Sequence, residues 1–140
     1  MPLTLDQAQT VVSRAHDCAR DMGLRIAVAV VDEGGFLLAL GRMDGAPPLS
    51  ARIAEGKAAG AAMWHKEGDQ LASVQMENPA FVAAVSQLAR APLLPGLGSA
   101  LIRRGNDVLG AVGASGASGQ DDLECVEYGL RAVLGQTEET

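Results

Sequence analysis

Lys57 is the residue of this chain whose surroundings most invite chemistry. On a helical repeat its i−4, i−3, i+4 and i+7 neighbours are Ile53, Ala54, Ala61 and Trp64, so an ammonium group leaves an otherwise apolar face. A lysine held out of water can act as base, nucleophile or anion clamp. The structural alternative is a side chain that reaches solvent or pairs with Asp44 or Asp32. Nearby, Arg42 and Asp44 stand in GRMDG. The planar guanidinium of Arg42 suits a carboxylate ligand, whereas Asp44 before a glycine also fits an Asx turn or an end-of-strand ion pair. A further constellation is GAVGASGASGQDD, residues 110–122, in which an apolar run passes into glycine, alanine and serine and then into two aspartates.

That glycine run is tested first as a phosphate cradle. A P-loop ends in Gly-Lys-Ser/Thr and a dinucleotide fingerprint reads G-x-G-x-x-G. Here glycines recur at 110, 113, 116 and 119, and Asp121 and Asp122 stand where a lysine would be needed. Two carboxylates repel a polyphosphate but suit the first turn of a helix, capped by Ser118 or Gly119. A neutral or singly charged group could still use Ser115 and the N–H groups around Gly116.

Composition narrows the partners. The formal net charge of −6 offers no basic patch for nucleic acid. No apolar run approaches the roughly 20 residues of a membrane span, and the N-terminus lacks the charged-then-apolar order of a signal peptide. Cys18 and Cys125 form no CxxC or other metal-ligand spacing, and His16 and His65 are the chain's only 2 histidines, too few for a multi-histidine metal site. A cytoplasmic protein with buried thiols is expected.

The elements that must position these residues are legible in turn. Residues 4–23 predict a helix with Thr4 and Gln7 as a capping box and Gly23 as C′, with His16 at the edge of its apolar stripe. RIAVAVV and FLLALGR flank Asp32-Glu33-Gly34-Gly35 as a hairpin, apolar enough to be covered on both faces. SARIAEGKAAGAAMWHK predicts a second helix, Asn78-Pro79 opens a third, SALIRRGNDVLGAVG turns as a second hairpin at Gly105-Asn106, and residues 121–134 close as a helix. Hairpins give antiparallel pairs, so the expected fold is a single α+β domain spanning 1–140, a central antiparallel sheet flanked by helices on both faces.

The segment VAVVDEGGFLLALGRMDGAPPLSARIAEGKAAGAA (28–62), together with GNDVLGAVGASGASGQDDLECVEYGL (105–130), resembles the GlcG/HbpS family, also called the haem-degrading domain family. The resemblance implies about five strands between helices and a homo-oligomer, often an octamer. Some relatives bind and degrade haem, and a related domain binds haem or cobalamin. The family pattern also places a lysine where Lys57 stands. Before the second hairpin, where relatives carry Gly-Gly-apolar-Pro, this chain has Pro95-Gly96-Leu97-Gly98-Ser99-Ala100, a departure that alters one wall of any pocket. One reading is a binding protein whose homo-oligomer holds haem or another tetrapyrrole in an apolar pocket, with Arg42 or Lys57 near the propionates, His65 as a candidate iron ligand or acid/base and Asp44 as a further candidate ligand-binding residue. The alternative is a cofactor-free enzyme acting on a small carboxylated or carbonyl metabolite, with Lys57 as base or clamp and the Ser115–Gly116 backbone as oxyanion donor.

Overall fold

The computed structural model describes residues 2–89 and 92–139, with side chains as far as Leu134. Helix α1, Leu5–Asp21, begins where the sequence marks it. The Gln7 N–H donates to the Thr4 hydroxyl and the Thr4 N–H to the Gln7 side chain, which satisfies two donors that a helix start otherwise leaves orphaned. Its end is closed by Gly23, whose φ of +71° brings the Leu24 N–H onto the Ala19 carbonyl.

Strands β1, Ala27–Asp32, and β2, Leu37–Arg42, form the first hairpin. The Asp32 carboxylate fixes its turn by accepting the N–H groups of Gly34 and Phe36. Three helices follow: α2, Ser50–Trp64, α3, Gly68–Glu77, and α4, Pro79–Leu88. The second hairpin is β3, Ser99–Arg104, with β4, Asp107–Ser115, and α5, Gly119–Glu139, closes the chain. Asn78 does precede a helix with Pro79 in its first turn, although its side chain makes no capping bond.

All pairings are antiparallel, in the order β2-β1-β4-β3. The described residues thus hold four strands where about five were expected. The stretch before β3 shows why no further strand forms there. Pro95 has no N–H to donate, Gly96 and Gly98 take φ of +144° and +108°, and the segment touches its neighbours through isolated bonds, Leu94 N–H to the Gly56 carbonyl and Ala114 N–H to the Gly98 carbonyl.

Helices α1 and α5 cover one face of the sheet, where Val11, Ala15, Val126 and Val133 pack on Val28, Val30, Ile102 and Val112. On the other face Ala54, Ala58, Ala61 and Ala62 of α2 meet Ala27, Ala29, Val31 and Ala111. The approach is close enough that a Cβ on Gly113 would lie 2.8 Å from the Ala58 nitrogen. Small residues therefore set the depth to which α2, and Lys57 with it, sinks onto β4.

Strand β1 is buried on both sides, as its unbroken apolar run predicts, but β2 is not. It lies at the sheet's edge, where α2 covers it far less than it covers β1, and Phe36 at its entrance remains 74% exposed.

Candidate functional site

Lys57 neither reaches solvent nor pairs with Asp44 or Asp32. Its ammonium donates to the Ala114 carbonyl at 2.9 Å and to Asp122 Oδ2 at 3.4 Å, with the two side chains 12% and 2% exposed. Asp122 is a first-turn acid of α5, as expected, but its carboxylate turns inward. Its second oxygen accepts the Ala117 N–H at 3.1 Å, while the Ser118 hydroxyl caps the helix through the Asp121 N–H. Burial pushes the Asp122 carboxyl above the usual carboxylate range, and the Lys57 charge pulls it only part of the way back. The pair ties α2, the end of β4 and the start of α5 together. Gly98 closes over it, since a Cβ there would lie 3.0 Å from Asp122 Cβ and 3.1 Å from the Lys57 nitrogen.

Arg42 and Asp44 lie at the other margin of the sheet, where α1 passes the end of β2. They line an open groove of about 530 Å³ together with His16, Arg20, Arg25 and Met43. A second groove of about 340 Å³ adjoins it along β2 and shares His16 and Arg20, adding Val12, Leu38 and Leu40. His16 reaches the groove because Gly41 leaves room, as a Cβ on Gly41 would lie 2.7 Å from its imidazole carbon. His16 Nε2 is 3.0 Å from the Gly41 carbonyl. A carbonyl only accepts, so Nε2 carries the proton and Nδ1 the lone pair. Burial, more than any neighbouring charge, holds the imidazole below its ordinary pKa of 6.5, which favours the neutral, ligating form. Arg25 donates to the Asp44 carbonyl at 3.1 Å. Arg20 pairs with Asp17 at 2.8 Å, both largely exposed, and such surface pairs exchange readily for a better anion.

The pairing register sets Arg42, Ala27 and Ser115 in one row across three strands. Ser115 is buried, and Gly116 takes φ of +131° so close to the Ile26 backbone that a Cβ would lie 3.0 Å from Ile26 Cα. His65 is elsewhere. It caps α2 in the left-handed region at φ +54° and faces a different hollow with Glu33, Arg104 and Asp107. Glu33 follows β1 while Arg42 pairs with its first residue, Ala27, so about 17 Å of strand separates the two ends. The structure brings Lys57 near the Ser115 end of β4 and Arg42 beside Asp44, and it does not bring His65 to either. Among the described residues no group of three or more His, Cys, Asp or Glu side chains is placed to hold a metal ion, and no helix is long and apolar enough to cross a membrane.

The family described as haem degrading protein HbpS-like matches residues 3–131. This chain belongs to the HbpS-like family. Protein GlcG of Escherichia coli K12 is 33% identical over 114 residues, which cover 81% of each chain. A double mutant of HbpS from Streptomyces reticuli superimposes with a TM-score of 0.84 at 28% identity, covering 95% of this chain and 88% of that one. The fold is shared with PduOC, solved as a haem complex, at a TM-score of 0.83 and 20% identity, over 94% of this chain and 95% of the other.

Within this HbpS-like chain, the sequence reading missed His16, Arg20 and Arg25 as a group. The first two are one turn apart on α1, at the polar edge of its buried stripe, and that i, i+4 spacing was the available signal. Their meeting with Arg25 and β2 depends on how α1 crosses the hairpin, which spacing alone does not reveal.

Proposed function

We propose that this chain binds haem or a related tetrapyrrole in the groove between α1 and β2, as a cytoplasmic homo-oligomer of the HbpS-like family. The observation that carries the reading is His16, anchored through Nε2 on the Gly41 carbonyl and lining one groove with Arg20, Arg25 and Arg42. The residues suit the group. Nδ1 of His16 is the nitrogen left for iron once Nε2 is anchored on the Gly41 carbonyl, and such anchoring fixes a ligating imidazole. The guanidinium groups match two propionates, and Val12, Leu38 and Leu40 offer an apolar bed for a macrocycle face. The family's description and a haem-bound relative of the same fold support the same ligand. When bound, the tetrapyrrole iron would supply the redox chemistry that haem degradation requires, while His16 and the arginines hold and orient it.

The exposed edge of β2, with Phe36 and Leu37 at its surface, supports assembly into a homo-oligomer, with an octamer as the expected state. The test is a haem titration followed by absorbance. A saturable Soret band at one haem per chain, weakened when Arg20 and Arg25 are replaced by Gln, supports the reading. Non-saturating adsorption indifferent to those changes refutes it.

A second reading rests on the Lys57–Asp122 pair, in which a carboxyl raised by burial faces a lysine. In a cofactor-free enzyme for a small carboxylated or carbonyl metabolite, Lys57 is the base or clamp and the Ser115–Gly116 backbone the oxyanion donor. Turnover lost in Lys57→Met with haem affinity unchanged would identify it.

A further inference from the structure

Where α1 packs on α5, three sulfur atoms meet. Cys18 and Met22 lie one helical turn apart at the end of α1, and Cys125 comes from the second turn of α5. The Cys18 and Cys125 thiols both donate to Met22 Sδ, at 3.8 and 3.9 Å. We propose that Cys18, Met22 and Cys125 form a binding site for one copper(I) ion.

Geometry comes first. A trigonal ion with metal–sulfur bonds of about 2.3 Å separates its sulfurs by about 4 Å, the bond length times √3. The two edges that meet at Met22 Sδ already have that length, so an ion bridging Met22 to both thiols needs little movement of either helix. Ligand chemistry then selects the metal. Two thiolates and a thioether are soft donors that favour copper(I). Zinc seeks a fourth ligand in tetrahedral array, and none of the described His, Asp or Glu side chains completes such a set. Access is through Met22, which is 36% exposed, to Cys125, which is fully buried.

The protons balance simply. Copper(I) replaces the two thiol protons, which leave to solvent, and the occupied site carries one net negative charge. Burial, reinforced by the neighbouring Cys18 thiol, pushes the Cys125 thiol up to about 12. The two cysteines stand near opposite ends of the sequence and the third donor is a methionine, so no ligand spacing along the chain advertises the site.

The test uses the reduced, haem-free protein under anaerobic conditions, with copper(I) delivered from a chromophoric chelator. Uptake of one equivalent per chain is expected, with thiolate-to-copper absorption in the ultraviolet and an X-ray absorption spectrum showing sulfur neighbours alone. Met22→Leu and Cys18→Ser alter partly exposed positions, and each is expected to weaken binding by at least the roughly 10- to 100-fold that outer partners of a metal ligand contribute. Circular dichroism confirms that both variants fold. Absence of stoichiometric uptake, or equal uptake by both folded variants, overturns the proposal. So does an affinity unchanged in Met22→Leu, which would mean two-sulfur binding.

Discussion

Replacing Lys57 by Met or Asp122 by Asn strands one partner of a buried pair. With the side chains only 12% and 2% exposed, water does little to compensate, and each single change is expected to cost about 3–5 kcal/mol. Asp122→Asn falls toward the upper end, because Lys57 keeps only the Ala114 carbonyl. Lys57→Met falls toward the lower end, because a carboxyl already displaced upward by burial can take a proton. The amide oxygen introduced by Asp122→Asn can still accept the Ala117 N–H, so the double variant loses the pair without orphaning that donor, and it should recover about 1–3 kcal/mol against the sum of the singles. Urea unfolding at pH 7 and fixed subunit concentration measures all four corners. The sign of the pH dependence follows from the raised Asp122 value. The folded state retains a proton that the unfolded chain has released, so this group's contribution to stability is present at low pH and is lost as pH rises through the folded value. The gap between wild type and Lys57→Met should accordingly narrow on acidification. Single changes that add to within about 0.5 kcal/mol would refute the coupling.

Two further outcomes follow from the same geometry. Gly98→Ala forces a Cβ against Asp122 and Lys57 at φ +108°, and overpacking of this kind costs about 1–3 kcal/mol, visible as a lowered Tm. An unchanged Tm would mean that the Gly96–Gly98 segment does not seat on the pair. For His16, burial lowers the folded pKa below 6.5, so its contribution is complete above that value and is lost as pH falls through the folded pKa. Wild-type stability should thus drop below pH 6.5 more steeply than that of His16→Gln in parallel denaturant titrations, and equal slopes would contradict the assignment.

Local signals carried most of the fold. The Thr4–Gln7 box, the Asp32 turn, the Gly105-Asn106 turn and the apolar period of α5 each depend on residues close in sequence, and each is found where its chemistry predicts. Helix α3 was missed because its cap is a Glu67–Gln70 box followed at once by Gly68, which reads as a loop. The exposure of β2 was missed for another reason. An apolar strand of six residues looks the same whether covered by a helix or left for a partner surface. The site divides along the same line. Lys57 was legible as an unusual charge on an apolar face, but its partner lies 65 positions away, in a helix start that accounts for an aspartate equally well without it. His16 was visible as a stripe-edge residue, yet its groove is made by α1 crossing β2, a long-range contact that no local pattern encodes.

The measurement that bears most directly on tetrapyrrole binding compares His16→Ala with His65→Ala in parallel haem titrations. Binding in the α1–β2 groove predicts that His16→Ala loses or shifts the Soret band of the wild-type complex and weakens its affinity, while His65→Ala retains both. A spectrum preserved in His16→Ala and altered in His65→Ala would contradict the assignment and move the ligand to the opposite end of the sheet.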